Sequence, residues 1–448
     1  GYAMKVSVFG LGKLGAPFVA AVASRGIEVI GIDTNIQVVG LINAHTSPYD
    51  EPQLDALLKE HHGRITAPPD VRSALEDNDL SFIVVPTPSD VDNRFSSDAI
   101  IRIAKEVGPV LREKDRYHVF AVVSTVMPGS TCGSIREAFE RASGKICGQD
   151  FGLAYNPTFI ALGSVIHDFL HPSLILIGES DDVSGATLKE FYHYLCGDGP
   201  AIHRMSAVNA EWAKIAVNQF VTMKISFANM LGMILHATPG GNIDVVTKAI
   251  GCDPRIGEKY LSGGTAFGGP CFPRDSRAFA RAALDTGVVA SISEAVDAVN
   301  HQTTHALFEA VGEYIKEFLG FELYPRVAVI GLSYKPGTSV IEESAGAQML
   351  CRLITKGYNR AVSWDPYAMD AVRAEFGDRI EYFDSLAACV RNADIVLIML
   401  PGEQFRPLVT DFSPLRKTVV FDCWRQCGYL AGHSFIEYIP FGVGTTKK

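Results

Sequence analysis

The stretch Gly263–Asp275, GGTAFGGPCFPRD, holds the residue types that chemistry needs. It sets one cysteine, Cys271, behind four glycines and between Pro270 and Pro273. Gly263, Gly264, Gly268 and Gly269 allow backbone to come close to a bound ligand. The prolines stiffen the segment on either side of the thiol. Arg274 adds a fixed positive charge, which favours thiolate, the nucleophilic form. Asp275 adds an acid/base or orienting group. The same residues also fit a Gly/Pro-rich surface turn with an inert cysteine, so the rest of the chain decides.

A second set lies near the start of the chain. Residues 4–9, MKVSVF, predict a short apolar strand. Gly10-Leu11-Gly12-Lys13-Leu14-Gly15 follows at once, then an alanine-rich helical pattern over residues 13–25 and a strand at Glu28–Ile32 ending in Asp33. This is the GxGxxG fingerprint in its required strand–turn–helix–strand context. The glycines permit the tight turn, the approach of a pyrophosphate and close helix–strand packing. The helix N-terminus offers N–H groups and a positive dipole end to phosphate. Asp33 stands where a carboxylate accepts bonds from ribose hydroxyls and repels a 2′-phosphate, so NAD is expected over NADP.

These residues need elements to position them. Leu80–Val85 reads as a strand ending in Pro86-Thr87-Pro88, and Val119–Ser124 as one ending in Ser124-Thr125-Val126. Polar groups at the carboxyl ends of parallel strands line a ligand crevice. That makes Thr125 a candidate, though a plain strand-end hydroxyl fits as well. Ser173–Gly178 is expected to close this domain with a further strand.

The last third echoes the first. Arg326–Ser333 parallels Lys5–Leu11, Ala361–Asp365 the strand ending at Asp33, Ala393–Pro401 the segment Asn78–Pro86, and Thr418–Asp422 the segment Val119–Ser124. An α/β chain with two Rossmann-like doubly wound domains, joined by a long central helix and a helical domain, is the economical reading. The expected division is 1–200, 201–312 and 313–448. The second copy lacks GxGxxG and carries Gly331-Leu332-Ser333-Tyr334-Lys335-Pro336-Gly337 instead. Lys335 suits a different anionic ligand, such as a second nucleotide, or is a solvated loop lysine. Residues 206–237 predict one long helix. Glu211, Lys214, Asn218, Thr222 and Asn229 form a polar stripe along it. Such a stripe on a buried helix needs partners, a ligand or another subunit, unless it is a wet face. Asp253–Tyr260 then leads through another helical piece into the cysteine loop, and Ser291–Lys316 is again helical.

Composition bounds the function. The 448 residues suffice for two or three domains with their own cores. Apolar content of 47% and charged content of 20% are those of a soluble globular protein. A formal charge of −10 argues against a nucleic-acid partner, since no basic excess exists to neutralise phosphates. The nine cysteines form no pair of CxxC clusters, so zinc is not expected and reduced thiols in the cytoplasm are the default. The longest apolar run carries Glu211, Lys214, Asn218, Lys224 and Asn229, too costly for a simple membrane span. No signal peptide is visible, and Gly1-Tyr2-Ala3 before Met4 reads as a cloning remnant.

The chain resembles the UDP-glucose/GDP-mannose dehydrogenase family of nucleotide-sugar 6-dehydrogenases over residues 4–430. The most specific match is Gly268-Gly269-Pro270-Cys271-Phe272-Pro273-Arg274-Asp275. Others are Gly10–Gly15, Pro86-Thr87-Pro88, Ser124-Thr125-Val126, Asn156-Pro157, Phe169-Leu170-His171-Pro172, Lys214 with Asn218, Lys224-Ile225-Ser226-Phe227, Asp253-Pro254-Arg255-Ile256-Gly257 and Lys335-Pro336. The resemblance implies oxidation of the C6 hydroxyl of a nucleotide-linked hexose to a carboxylate, with two NAD+ consumed and no metal. Lys214, Asn218 and Asp275 then surround the reacting centre, with Thr125 beside them, and Lys214 stabilises oxyanion charge. Cys271 attacks the aldehyde to give a thiohemiacetal, then a thioester that is hydrolysed. Cofactor contacts are implied for Gly10, Gly12, Leu14, Gly15, Asp33, Pro86, Thr87, Thr125 and Arg274. Substrate contacts are implied for Lys214, Asn218, Arg255, Tyr260, Phe267, Gly268 and Lys335. Arg255 acts across a homodimer interface built on the long helix.

The chain also departs from the family pattern. Its Asn-Pro-Glu-Phe-Leu-Arg-Glu-Gly stands here as Asn156-Pro157-Thr158-Phe159-Ile160-Ala161-Leu162-Gly163, without either glutamate. Thr158 orients water but is no base at neutral pH. After Lys335-Pro336 the usual arginine is Glu342. These changes leave three outcomes: hydrolysis through another group, with Asp275 foremost; partial oxidation or altered thioester release; or a non-catalytic nucleotide-sugar-binding subunit. A hydroxyacid or 6-phosphosugar dehydrogenase shares the dinucleotide domain but needs no Cys271.

Overall fold

A computed structural model describes residues 4–319, 325–358, 360–391, 393–407 and 417–446. Gly1–Ala3 lie outside them. The chain divides into two compact units, Gly1–Val217 and Asn218–Lys448, with the boundary inside the helix Ala207–His236.

The first unit is built on an eight-stranded sheet. Its strands are β1 (Lys5–Phe9), β2 (Glu28–Ile32), β3 (Ile65–Thr66), β4 (Leu80–Ile83), β5 (His118–Val122), β6 (Phe151–Tyr155), β7 (Ile175–Glu179) and β8 (Ile202–Ser206). Their order is β3-β2-β1-β4-β5-β6-β7-β8. Every pairing is parallel except β6 with β7. Strands covered on both faces read as continuous apolar runs. Alternate residues accordingly enter two cores: Val119, Ala121 and Val123 pack on one face, Phe120 and Val122 on the other.

The second unit repeats the plan with β9 (Val327–Ile330), β10 (Val362–Trp364), β11 (Glu381–Tyr382), β12 (Ile395–Ile398), β13 (Thr418–Asp422) and β14 (Ile436–Pro440). The order β11-β10-β9-β12-β13-β14 is that of β3-β2-β1-β4-β5-β6, so the sequence echo is a duplication of topology. Two cores again flank the sheet, one with Val327 and Val329, the other with Ala328 and Ile330.

Differences from the sequence expectation are local. β7 does not close the first sheet, because β8 pairs beyond it. β6 has no signal of its own: its Gly152 and Ala154 dilute a short strand. Residues 253–260 form turns rather than a helix, with the helix lying earlier at Ile243–Gly251. Gly257 and Tyr260 both adopt positive φ there, which stops helical propagation. The helix from Ser291 ends at Tyr314 and passes into a wider π turn, Ile315–Leu319. Among the described residues no helix is long and apolar enough to cross a membrane, and no cluster of three metal-ligating side chains occurs.

Candidate functional site

The first unit holds a dinucleotide turn between β1 and the helix Gly15–Ser24. Its three glycines have three different reasons to lack a side chain. Gly10 has φ +102°, and a Cβ there would stand 2.0 Å from the Val84 carbonyl oxygen. A Cβ on Gly15 would stand 1.8 Å from the carbonyl oxygen of Gly10, so helix and strand pack only through glycine. Gly12 meets nothing within 4 Å, which leaves its backbone open to a ligand. Leu14 precedes the helix and offers no capping side chain, and this helix start is the positive end of the helix dipole. Asp33 is held in place by bonds from Leu11 N (2.7 Å) and Asn35 N (2.8 Å) and remains partly exposed. The open glycine, the uncapped helix and the carboxylate fit NAD.

β1 and β4 are neighbours at the point where strand order reverses, the expected ligand crevice. Pro86 is exposed just past β4, while Thr87 is buried and donates its hydroxyl to the Thr125 carbonyl at 2.7 Å. Ser124 Oγ bridges Val85, accepting from its N–H (2.9 Å) and donating to its carbonyl (2.6 Å). Thr87 and Thr125 are thus brought together at the strand ends.

The second copy keeps the same turn. Gly331 donates to Trp364 O at 3.0 Å, as Gly10 does to Ile32 O at 2.8 Å. Asp365 takes the place of Asp33, but it is 2% exposed and accepts from Leu332 N, Ser333 N, Tyr367 N and Ala368 N. Its carboxylate is committed to the protein, so a ribose held in the manner of Asp33 does not fit. Lys335 lies with its ammonium 5.7 Å from the Tyr334 ring centre.

The polar stripe of the long helix finds its partners inside the chain, where sequence left them open. Glu211 is fully buried and accepts from Gly129 N (3.1 Å), Thr131 N (3.0 Å) and Thr131 Oγ1 (3.1 Å). Burial nevertheless pushes its carboxyl above the usual range. Lys214 donates to the Thr158 carbonyl and stands 4.7 Å from the Phe159 ring centre. Leu162, at a position where the resemblance implies a glutamate, packs partly buried against the apolar core of the first unit. In the second unit, Asn218 Nδ2 donates to Asp275 Oδ2 at 2.7 Å. Asn229 accepts from Gly264 N (2.8 Å) and donates to Thr265 O (3.2 Å).

Cys271 is exposed and is the residue before the helix Phe272–Asp285. Its carbonyl accepts from Asp275 N at 2.8 Å, closing the first turn. Cys271 is therefore the residue at the helix N-terminus, the positive end of its dipole. Asp275 is 3% exposed. Arg274 follows in the same turn. Sequence reasoning credits the thiolate to Arg274 alone; Pro273 in the first turn was the missed sign of a helix start.

The four glycines of the loop let it approach the chain itself. A Cβ on Gly263 would stand 2.8 Å from Ile243, one on Gly264 2.5 Å from the Trp424 ring, one on Gly268 2.1 Å from the Glu343 carbonyl oxygen, and one on Gly269 2.5 Å from the Tyr334 ring. Gly269 N also donates to Glu342 O at 2.8 Å. Arg425 bonds both oxygens of Asp244 (2.8 Å each) and the Gly263 carbonyl (2.6 Å). Phe267 is held by Asn300, which accepts from its N–H and donates to its carbonyl, each at 2.9 Å. None of Asn300, Tyr334, Trp424 and Arg425 was singled out from sequence for this role, because each lies far along the chain from the loop. Arg255 is mostly solvent-exposed and paired with Asp253 at 2.6 Å. Tyr260 is exposed with φ +61°.

Three family models cover most of the chain: the NAD binding domain of the UDP-glucose/GDP-mannose dehydrogenase family over residues 4–196, its central domain over 208–302 and its UDP binding domain over 328–428. The chain is 33% identical to UDP-glucose 6-dehydrogenase AglM of Haloferax volcanii, spanning 94% of this chain and 96% of that one. It is also 33% identical to GDP-mannose 6-dehydrogenase of Pseudomonas putida, over 93% and 95% of the two chains. A solved UDP-glucose dehydrogenase from the hyperthermophilic archaeon Pyrobaculum islandicum is similar at TM-score 0.85 and 31% identity, covering 99% of this chain and 98% of that one. With its NAD turn, duplicated βα sheets and glycine-flanked cysteine, the chain is a member of the UDP-glucose/GDP-mannose dehydrogenase family of NAD-dependent dehydrogenases.

Proposed function

We propose that the protein oxidises the C6 hydroxyl of a nucleotide-linked hexose to the uronic acid through covalent capture on Cys271. The observation that carries this reading is the exposed thiol at the start of the helix Phe272–Asp285, one turn from the buried Asp275 that Asn218 holds at 2.7 Å. NAD+, when bound, supplies the acceptor for the hydrides that leave C6. Gly10, Gly12, Leu14, Gly15, Asp33, Pro86, Thr87, Thr125 and Arg274 are the residues we assign to its binding. Lys214 stabilises negative charge as the hydroxyl proton leaves. The Cys271 sulfur bonds to the aldehyde carbon, and the oxygen takes a proton to give the thiohemiacetal. Loss of the second hydride from carbon, with the hydroxyl proton released to water, leaves the thioester. Water then adds, the carbon–sulfur bond breaks and the thiol is restored.

Neither residue at the missing glutamate positions replaces a base. Thr158 turns its carbonyl to Lys214, and Leu162, partly buried, packs against the apolar core. Asp275 is the carboxylate we assign to activating the hydrolytic water. The nucleotide end of the substrate is assigned to Lys335 and the sugar end to Tyr260, Phe267 and Gly268, with Arg255 acting from a second copy of the chain. The relatives' names divide between UDP-glucose and GDP-mannose; UDP-glucose is the first substrate to test. A homodimer is supported by Phe220, Phe227 and Ile234, 62%, 46% and 51% exposed at seven-residue spacing on one helix. Phe227→Glu sediments as a monomer if this face is the interface, and as a dimer if it is not.

The direct test is turnover of UDP-glucose and GDP-mannose by wild type and Cys271→Ala. Wild type should produce NADH with one of them, and Cys271→Ala should yield no acid. Full acid production by Cys271→Ala refutes the covalent step.

A further inference from the structure

The cysteine end of the loop packs against one short segment of the second βα sheet's unit. Tyr334, Glu342 and Glu343 of this segment meet the loop at Gly268 and Gly269. The Tyr334 ring stands where Gly269 has no side chain: its Cδ2, Cε2 and Cγ lie 2.5, 2.7 and 2.9 Å from the position a Cβ would take. Gly269 N donates to Glu342 O at 2.8 Å. The Glu343 carbonyl fills the space left by Gly268. Glu343 itself adopts φ +50° and pairs with Arg277, on the helix that Cys271 begins. The segment is braced in turn by a bond from Tyr334 N to Val340 O at 2.9 Å.

From this geometry we infer that Tyr334 is a positioning residue for Cys271: its ring seats Gly269 and thereby fixes the backbone that carries the thiol two residues later. The inference rests on the proposed covalent role of Cys271 and adds a residue that role depends on. Burial first, and then the nearby Cys271 sulfur, push the Tyr334 phenol up to about 12. It therefore stays protonated and uncharged beside the thiol across the neutral range. The ring is the working part. A planar aromatic ring packs this close only beside a residue without a Cβ, and Gly269 is held at φ +94°. Lys335, the next residue, is the one assigned to the substrate's nucleotide, so the same turn that meets the nucleotide also holds the nucleophile.

The test uses the full chain and two readouts. Cys271 labelling by iodoacetamide, followed by peptide mass spectrometry, needs no substrate; kcat and KM report the reaction. Tyr334→Ala should lower kcat about tenfold or more, the scale of a misplaced reacting group, while KM for NAD+ stays within about twofold. Its Cys271 labelling rate should change by about fivefold or more while labelling of the exposed Cys252 stays constant. Tyr334→Phe, which keeps the ring, should restore both. Tyr334→Leu, which keeps apolar bulk without the flat ring, should behave like alanine and serves if the alanine variant does not fold. Wild-type labelling and kcat in Tyr334→Ala or Tyr334→Leu overturn the inference. A wild-type protein that turns over no nucleotide sugar sinks the functional reading alone, since labelling still reports on the loop.

Discussion

At the residue scale, three buried carboxylates are engaged within the protein. Asp275 is buried and bonded to Asn218, Asp365 is spent on four backbone N–H groups, and Glu211 on the turn at Gly129–Thr131. Cys271 by contrast is exposed. A different buried residue gives the first unit a testable pH dependence. His118 is fully buried, with Ser81 Oγ 2.8 Å from Nε2 and Lys114 Nζ 2.8 Å from Nδ1. Burial, then the Lys114 charge, hold its pKa well below the ordinary 6.5. The unfolded chain protonates this ring as pH falls through 6.5, and the folded chain does not. The neutral ring thus contributes stability that is present above that pH and lost below it. In urea unfolding from pH 7 to 5, wild type should lose up to about 1.4 kcal/mol per pH unit more than His118→Gln. Parallel curves for the two would show that His118 does not carry the dependence.

At the scale of elements, the dinucleotide turn allows a sharp division between folding and binding. Gly12→Ala adds a methyl where nothing lies within 4 Å, so the variant should fold as wild type and bind NAD+ more weakly. Gly15→Ala drives its methyl into the Gly10 carbonyl and should melt lower. Calorimetry of NAD+ binding with a melting curve separates the two; unchanged NAD+ affinity in Gly12→Ala would place the cofactor elsewhere. This turn was legible in sequence because its signal is local: strand, three glycines, helix and Asp33 within one βαβ unit. The duplication was legible too, since β9, β10, β12 and β13 repeat the apolar runs of their counterparts. The polar stripe was visible at helical spacing, but its partners were not, because Gly129, Thr158, Thr265 and Asp275 reach it through tertiary folding. Little periodic signal marks β6, diluted by Gly152 and Ala154, or the edge strand β8 with its mixed composition, and the same limit hid the contacts of the loop glycines with Trp424 and Tyr334.

At the scale of the molecule, the first unit carries the NAD turn, and the second unites the cysteine loop with the second βα sheet. The loop's two ends are tied to that unit by separate means, Arg425 and Trp424 at Gly263 and Gly264, Tyr334 and Glu342 at Gly269. Thiol and proposed nucleotide site therefore belong to one body of structure, which suits a substrate held by its nucleotide while its sugar is worked on. The absence of both family glutamates makes complete oxidation the central claim. Its most direct measure is the stoichiometry of purified protein with limiting nucleotide sugar and excess NAD+, read as NADH formed and product acid by mass spectrometry. Two NADH per sugar with a uronic acid product is the predicted result. One NADH per sugar with a released aldehyde would contradict it.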